Sequence, residues 1–523
     1  MSDASPQRHL RLVNAAARTA GPLLAELRTQ LDVPGSFPAD ALTEAERAVA
    51  DAPAGHEDAT DLPLVTIDPP GAKDLDQAMF LERDGDGYVV HYAIADPASF
   101  VTPGGALDAA LADRGVTFYG PDSAITLHPE VLSEGAASLL AGQPRPACLW
   151  TIRLDGDGQL VEAGVRRAQV RSREQLSYDQ VQERIDAGAA GDSLTLLPEI
   201  GMLRARLELA RGGASLEIPE QEIAADDDGY RLVYRATLPV EDWNAQISLL
   251  TGIAAAQIMR EARVGVLRTL QPAQQRDIDR VRRAAAGLGI DWPEDASYGE
   301  VLAGLDASVP EHAAFFHEAT ALFRGSGYLT FDGDLPPESP HSAIAAEYAH
   351  VTAPLRRLVD RYGLEICLAH TAGQDVPDWV REALDGLPGI MDRARQRSSA
   401  YERACVDLLE AIMMRGRVGQ KFTGVVVDVD TPGADGSGAG TDGGSGGGSG
   451  TDGGSGGGNG TDGGSGGGSG SGDSTGAELR GIILLAEPAI RGRVQGVGLP
   501  LGERVTVRLA RADVDERRVE FAY

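Results

Sequence analysis

A glycine-rich tract near the carboxyl end limits the possible folds more than any other segment. "TDGGSGGGSG", "TDGGSGGGNG" and "TDGGSGGGSG" begin at Thr441, Thr451 and Thr461, which gives a repeat of ten residues. Such a tract has no large apolar side chains to bury, so we expect a disordered loop over residues 431–476. Calcium-binding Gly/Asp coils repeat every nine residues with an apolar position per turn, and this tract lacks that position.

The segments on both sides of the tract have a strand pattern. "GQKFTGVVVDVD" precedes it, and "ELRGIILL", "AIRGRVQGV", "ERVTVRLARAD" and "RRVEFAY" follow it. These short apolar runs predict a small β-barrel over residues 416–523 whose strands pair across a long insertion. Residues 415–430 and 476–523 carry 11 basic and 9 acidic residues, a net charge of +2. That local charge sets this segment apart from the rest of the acidic chain.

The composition of the whole chain is that of an acidic globular protein. Its 523 residues carry 47 basic and 78 acidic side chains, a net charge of −31, which usually argues against a nucleic-acid partner but permits a basic channel. No apolar run approaches the ~20 residues of a membrane helix, and we expect no signal peptide and no membrane partner. Cys148, Cys367 and Cys405 lie far apart, so they predict buried thiols in a reducing cytoplasm.

The remainder of the chain divides into two predicted regions. Residues 1–61 have helical spacing and form a small module, either a helix-turn-helix or a packing appendage. Residues 62–415 begin with strand-like runs and become mostly helical after about residue 172. "DGDG" occurs at Asp84–Gly87 and at Asp155–Gly158, where hairpin turns are favoured over calcium loops because the required Glu spacing is absent.

Three aspartates follow one predicted strand in "TIDPPGAKDLDQAMF", which runs from Thr66 to Phe80. The segment Pro69-Pro70-Gly71 must turn, so the loop can bring Asp68 back beside Asp74 and Asp76. Clustered carboxylates need a cation, and hard oxygen ligands favour Mg²⁺ or Mn²⁺ over zinc. In so acidic a chain the same spacing arises by chance in a solvated loop, so the pattern alone leaves both interpretations open.

The motifs that surround this loop favour the metal site. "TIDPPGAKDLDQA", "YVVHYAIADPASFV" and "DRGVTFYGPDSAITLHPEVLSEGAASLLAGQPRPA" occur in this order, and "EYAHVTAPLRRLVDRY" and "RSSAYERAC" follow them. In order and spacing they resemble the ribonuclease II/ribonuclease R family over about residues 60–523. The resemblance implies an α+β fold, with a mixed sheet-and-helix RNB catalytic domain at 62–415 and an OB-fold RNA-binding barrel at 416–523.

The resemblance also implies an activity and a reaction centre. The family hydrolyses single-stranded RNA processively from the 3′ end with Mg²⁺ and releases nucleoside 5′-monophosphates. Asp68, Asp74 and Asp76 match its metal-site aspartates, and Arg356 in "APLRRL" matches the arginine that clamps the scissile phosphate. We expect these four residues to be catalytic, and one RNA path per chain implies a monomer.

Four further residues are predicted to contact RNA. Tyr119 in "VTFYGPD" matches the aromatic that stacks on the terminal base, and Glu402 in "AYERA" matches a glutamate near the 3′-terminal nucleotide. Arg357 and Lys73 are the other two, although Lys73 could instead neutralise the aspartates or point to solvent. Taken alone, each of these residues also fits a packed or solvated position.

The clearest departure from the family pattern lies at Gln77. The motif usually ends in two consecutive aspartates, and here the second is an amide, which is a poorer Mg²⁺ ligand than a carboxylate. Gln77 is therefore expected to complete the metal site only weakly. The alternative to the exoribonuclease is a non-catalytic RNA-binding relative whose metal site has decayed. A phosphoesterase acting on DNA or small molecules has no feature in its favour.

Overall fold

The computed structural model describes residues 14–51, 56–214, 220–226, 229–235, 237–306, 309–429, 478–485 and 487–523. Its helices are α1 (Asn14–Gln30), α2 (Ala39–Asp51), α3 (Ala106–Arg114), α4 (Tyr178–Asp186), α5 (Gly191–Ala210), α6 (Pro239–Ala262), α7 (Gln275–Gly287), α8 (Tyr298–Ala303), α9 (Pro310–Ala319), α10 (Leu358–Thr371), α11 (Asp378–Ala383) and α12 (Leu387–Met414). Short turns of other helix types cover Pro97–Phe100, Leu132–Ala136, Thr320–Phe323 and Arg415–Arg417. The predicted loop 431–476 lies outside the described residues.

The strands form one large sheet, one barrel and three short ribbons. They are β1 (Glu57–Asp58), β2 (Val65–Asp68), β3 (Gln77–Asp84), β4 (Gly87–Ala95), β5 (Phe118–Tyr119), β6 (Ala124–Ile125), β7 (Pro144–Leu154), β8 (Leu160–Arg171), β9 (Glu174–Ser177), β10 (Glu220–Asp226), β11 (Gly229–Arg235), β12 (Val264–Thr269), β13 (Gly327–Asp332), β14 (Lys421–Val429), β15 (Glu478–Leu485), β16 (Ile490–Val497), β17 (Arg504–Asp513) and β18 (Arg518–Ala522). The predicted α+β class is confirmed.

The large sheet carries the aspartate loop at one end. Its strand order is β1-β8-β7-β4-β3-β2-β9, with antiparallel pairing from β8 through β2 and parallel pairing of β1 and β9 at the edges. At the opposite end, "DGDG" at Asp84–Gly87 joins β3 to β4, and Asp155–Gly158 joins β7 to β8. Gly85 and Gly158 adopt positive φ there, which a glycine allows at little cost. The predicted hairpin turns are confirmed.

The main core lies between this sheet and a layer of helices. β4 is almost wholly buried, as expected for a central strand packed on both faces. Helices α5, α6 and α10 cover one face, and α6 is buried along most of its length. Tyr92 in β4 and Ser248 in α6 join the two layers through a buried hydroxyl–hydroxyl bond of 2.8 Å. The aspartate loop therefore extends from a closely packed sheet.

The carboxyl-terminal strands close into a barrel of order β14-β15-β16-β18-β17. β14 pairs with β15 from Gly424↔Leu485 to Val429↔Gly481, so the strands pair across the insertion as the sequence predicts. Apolar residues alternate along β16 and β17 and fill the barrel interior. Among the described residues, we find no helix with the length and apolar character needed to cross a membrane.

The two amino-terminal helices belong to different cores. Leu24 and Leu27 of α1 pack in the cluster that contains the barrel interior and α12, whereas Ala41 and Ala45 of α2 pack in the main core. The helical character predicted for this segment is present, and both helices are docked on the rest of the chain. A helix-turn-helix function and the boundary at residue 61 stay predictions.

Candidate active site

The aspartate loop begins where β2 ends. Asp68 is the last residue of β2, and the following Pro-Pro-Gly segment turns at Gly71, whose φ is +78°. The turn is closed by the N–H of Ala72, which donates to the carbonyl of Pro69 at 3.1 Å. The Gln175 side chain donates to the Ala72 carbonyl at 2.8 Å and ties the loop to β9. Two prolines and one glycine thus dictate the turn that the sequence predicted.

A serine that the sequence reasoning missed holds the other half of this loop. The Ser138 hydroxyl donates to the carbonyl of Lys73 at 2.6 Å and accepts from the N–H of Leu75 at 3.0 Å. The N–H of Leu139 donates to the Leu75 carbonyl at 3.1 Å. Ser138 therefore fixes the backbone between the aspartates. Its place within the long "EGAASLLAG" motif was the available signal.

Asp76 meets the loop that carries Arg356. The Asp76 side chain is 5% exposed, and its Oδ1 accepts from the N–H of Leu355 at 2.8 Å. Arg356 Nε lies 3.5 Å from Asp76 Oδ2. Burial raises the pKa of Asp76 well above its usual range, although Arg356 and Leu355 lower it, and the nearby carboxylate of Asp74 raises it further.

The surroundings of Asp68 also disfavour the charged form of its carboxylate. Burial raises its pKa to about 7, and the charge of Asp74 adds to the shift while Arg356 opposes it. Asp68 Oδ2 is buried and has no hydrogen-bond partner within the part of the chain that the structure describes. Asp74 is partly exposed between these two aspartates in the sequence. A cation would relieve both the mutual repulsion and the unmet hydrogen-bonding capacity.

The donor set fits Mg²⁺ held by a few protein oxygens. In the described part of the chain, no three His, Cys, Asp or Glu side chains are arranged to enclose an ion. Mg²⁺ is commonly bound by one or two carboxylates, with water and substrate phosphates completing its octahedron. Asp68 and Asp76 suit that pattern. The Gln77 amide Nε2 donates to the carbonyl of Thr352, so only its Oε1 atom could serve as a ligand.

The loop that carries Arg356 and Arg357, called the arginine loop below, is held in place by a fully buried carboxylate. Asp360 Oδ1 accepts from the N–H of Ala353 at 2.6 Å, and both its oxygens accept from the Arg357 guanidinium at 2.9 Å. The Arg356 carbonyl accepts from the N–H of Thr117 at 3.0 Å, which links the loop to the segment before β5. Arg356 is thereby presented toward the aspartates while Arg357 is used to brace the turn.

Tyr119 and Glu402 share the electrostatic environment of the aspartates. Tyr119 ends β5, which pairs with β6 in a two-stranded ribbon. Burial raises the pKa of Tyr119; Arg356 lowers it, and the carboxylates of Asp74, Asp76 and Glu402 raise it. The charges of Arg356, Asp74, Asp76 and Glu402 therefore act on Tyr119 although these residues lie far apart in the sequence, and their joint role at one site stays a prediction.

Three of the predicted RNA-binding residues have partners within the protein. The Lys73 side chain is 71% exposed and its Nζ pairs with Glu134 Oε2 at 3.1 Å. The Arg357 side chain is 13% exposed and forms the bidentate pair with Asp360. Glu402 Oε1 accepts from the Ser398 hydroxyl at 2.9 Å within α12. RNA contact by these residues stays a prediction.

Comparison with known proteins identifies two family matches. The RNB domain model matches residues 56–367, and the model of the RNase II-type exonuclease C-terminal S1 domain matches residues 471–523. Ribonuclease R of Escherichia coli K12 is 27% identical over 416 residues, which are 73% of this chain and 50% of that protein. The exosome complex exonuclease RRP44 homolog A of Arabidopsis thaliana is 26% identical over 381 residues, which are 69% and 40%. The chain thus spans about half the length of the curated relatives it matches.

Solved structures share the fold. The apo form of Mycoplasma genitalium RNase R has a TM-score of 0.77 at 17% identity, covering 96% of this chain and 77% of that one. Yeast Ssd1, titled a pseudonuclease, has a TM-score of 0.60 at 14% identity, covering 76% and 50%. The RNB domain model matches more than half of the residues of this chain. The chain therefore belongs to the ribonuclease II/ribonuclease R (RNB) family, as its motifs predicted.

Proposed function

We propose that this protein is a Mg²⁺-dependent 3′→5′ exoribonuclease that hydrolyses RNA processively and releases nucleoside 5′-monophosphates. One observation supports this most strongly. Asp68, which ends β2, and the buried Asp76, at the end of the following loop, both have raised pKa values, and a guanidinium 3.5 Å from Asp76 opposes both shifts. Negative charge that is poorly satisfied by the protein, beside a fixed positive charge, is suited to a divalent cation and a phosphodiester.

Different residues would bind the ion and the scissile phosphate. Asp68, Asp74 and Asp76 would hold the ion, and Gln77 Oε1 would add a neutral oxygen. When bound, the ion would supply Lewis-acid polarisation of the phosphoryl oxygen and would lower the pKa of the attacking water. Arg356 would pair with the phosphate and with the charge that develops on it during in-line displacement.

The remaining predicted residues would hold the 3′ end of single-stranded RNA. Tyr119 offers a ring face on which a base of any identity can stack, which suits an enzyme that degrades every sequence. Glu402 would accept a hydrogen bond from a ribose hydroxyl, which distinguishes RNA from DNA. Arg357 would act chiefly by keeping Arg356 in place. Lys73, exposed at the rim, would contribute electrostatic attraction.

The relatives and the barrel agree with this assignment. The first curated relatives are ribonuclease R proteins, and Mycoplasma genitalium RNase R has been solved with ribose-methylated single-stranded RNA and with double-stranded RNA. The barrel strands expose arginines that could follow an RNA backbone, among them Arg493 and Arg508. We propose a monomer working in the reducing cytoplasm, in keeping with three buried free cysteines.

A second candidate is a non-catalytic RNA-binding protein with the same fold. It is favoured by Gln77, which stands where the family pattern has a carboxylate, and by the fold that the chain shares with a pseudonuclease. Under this alternative Asp68, Asp74 and Asp76 would be remnants of a metal site. The retained Arg356 and the unmet Asp68 oxygen argue against it.

The two candidates are separated by one assay. The protein is incubated with 5′-labelled single-stranded RNA and Mg²⁺, with EDTA and Asp76→Asn as controls. Very short end products that disappear in both controls, while Asp76→Asn still binds RNA, support the exoribonuclease. Binding without cleavage supports the alternative. Cleavage of DNA at an equal rate contradicts the RNA assignment.

A further inference from the structure

Arg28 of α1 reaches two elements that flank the proposed binding place of the RNA 3′ end. Its Nε donates to the hydroxyl of Tyr401 at 3.0 Å. Its Nη2 donates to Asp122 Oδ1, with which it forms an ion pair, and to the Ser123 hydroxyl at 3.2 Å. A single guanidinium therefore joins α1, α12 and the turn that follows Tyr119.

Each partner of Arg28 lies next to a residue of the candidate site. Asp122 and Ser123 belong to the turn between β5 and β6, and β5 ends at Tyr119. Tyr401 is fully buried and directly precedes Glu402 in α12. A shift of the turn that contains Asp122 and Ser123 would move Tyr119, and a shift of Tyr401 would move Glu402. Tyr119 and Glu402 are the residues proposed to hold the terminal nucleotide.

The turn has little freedom to settle in another place. The N–H of Gly120 donates to the Ser123 carbonyl at 3.0 Å. A Cβ atom at Gly120 would lie 2.4 Å from the Tyr401 hydroxyl oxygen, so the turn packs directly on that hydroxyl and only glycine fits. Arg28 donates a hydrogen bond to the same hydroxyl. The position of the turn thus depends on the contact between Arg28 and Tyr401.

The helix that carries Arg28 is itself anchored. Leu24 and Leu27 are 0% and 2% exposed and pack in the cluster that contains Tyr401. The Arg28 and Asp122 side chains are 24% and 22% exposed, so their ion pair is partly shielded from water. Partial shielding from water and three hydrogen bonds make the contact of Arg28 with its partners stronger than an exposed surface ion pair.

We propose that Arg28 is a positioning residue for the 3′-terminal nucleotide: through Asp122, Ser123 and Tyr401 it sets the place of Tyr119 relative to Glu402. The proposal rests on the proposed function and extends it to the amino-terminal helix. In this proposal Arg28 acts through the turn after Tyr119 and through α12, and takes no part at the phosphate or the ion. Its loss should weaken the hold on the RNA end and leave the chemical step unchanged.

The test compares Arg28→Met with Gln30→Ala. Methionine keeps an unbranched apolar stem and removes all the donors of the guanidinium. Gln30 lies on the same helix, where it forms hydrogen bonds with Glu26 and Arg517, both of which lie outside the turn that follows Tyr119. For a short RNA we expect KM to rise about tenfold in Arg28→Met, the effect of losing one to two hydrogen bonds, with kcat within about twofold. Gln30→Ala should change neither constant.

Binding and product length complete the test. In an Asp76→Asn background, Arg28→Met should weaken the anisotropy-measured affinity for a short RNA by a similar factor, and the cleaving enzyme should release longer end products. Asp122→Ala should reproduce the effect, and the double variant should add little to it. The same readouts apply to Asp122→Ala if Arg28→Met does not fold.

Three outcomes would overturn the proposal. They are an unchanged KM in both Arg28→Met and Asp122→Ala, a fall in kcat with KM unchanged, and an equal change in Gln30→Ala. A wild-type protein that binds RNA without cleaving it refutes the exoribonuclease instead. The anisotropy arm then still decides whether Arg28 positions the bound end.

Discussion

Two buried aspartates near the same end of the large sheet, Asp96 and Asp76, have pKa values that are shifted in opposite directions. Asp96 directly follows β4 and is 1% exposed, yet it is fully provided with donors. Its Oδ2 accepts from Arg167 Nε at 2.8 Å and from the Ser99 hydroxyl at 2.6 Å, and His56 lies 3.8 Å away. Burial alone would raise the pKa of Asp96, but these partners lower it to about 2.

Asp76 is nearly as buried but has fewer donors. One backbone N–H and a guanidinium at 3.5 Å do not offset its burial and the charge of Asp74, so its pKa is raised. Burial alone therefore does not distinguish a structural carboxylate from a functional one. The number of donors does, and a carboxylate left short of donors is available to an ion.

The largest expected effect is on activity at Asp76. Asp76→Asn removes a proposed ion ligand and the partner of Arg356, so we expect the cleavage rate to fall by about 10³-fold. The free energy of unfolding in EDTA should stay equal or rise, because a poorly solvated charge is removed. Cleavage assays and denaturant titration measure the two. A large loss of stability would show that Asp76 is as structural as Asp96.

At Asp96 we expect the substitution to reduce stability rather than activity. Asp96→Asn leaves the Arg167 guanidinium with an amide in place of a charged partner, and we expect a loss of about 3 kcal/mol in the free energy of unfolding. Because Asp96 takes no part in the proposed chemistry, kcat of the folded fraction should change little. Urea unfolding and single-turnover cleavage are the measurements. Unchanged stability would mean that the Arg167 network contributes nothing to the fold.

The pH dependence of stability should also have opposite signs. The pKa of Asp96 is depressed to about 2, so its stabilising contribution is present above about pH 4 and is lost as pH falls toward 2. The pKa of Asp68 is raised to about 7, so its contribution is present below about pH 4 and is lost as pH rises through 7. Unfolding midpoints in EDTA should therefore fall between about pH 5 and pH 8 less steeply in Asp68→Asn than in wild type. Parallel curves would contradict the raised pKa.

The smallest effect is expected at Gln77. Gln77→Met removes the amide that donates to Thr352 and the oxygen that could bind the ion. We expect about 1 kcal/mol less stability and a severalfold higher half-saturating Mg²⁺ concentration. Gln77→Asp, which supplies a charged oxygen, should lower that concentration. If neither variant changes the Mg²⁺ dependence, Gln77 only ties β3 to the arginine loop.

The sequence by itself determined the local parts of this protein. Two prolines and a glycine require the turn after Asp68, the "DGDG" segments dictate hairpins, and strand patterns on both sides of the glycine-rich tract predict pairing across it. These features depend on backbone dihedrals and on alternation along a few residues, which a sequence displays directly. The ordered motifs predicted the family, which is confirmed, and the candidate residues of the site.

Only the tertiary structure decided which neighbours each charged group would have. Arg356 and Arg357 are adjacent in the sequence, yet one lies against Asp76 and the other is bound to Asp360. Asp76 and Asp96 look alike in the sequence and differ in pKa because of donors supplied from distant segments. Ser138 and Arg28 gain their roles through contacts across about 65 and 373 positions. Such contacts arise from chain packing, whose energies depend on distance and burial that no local pattern records.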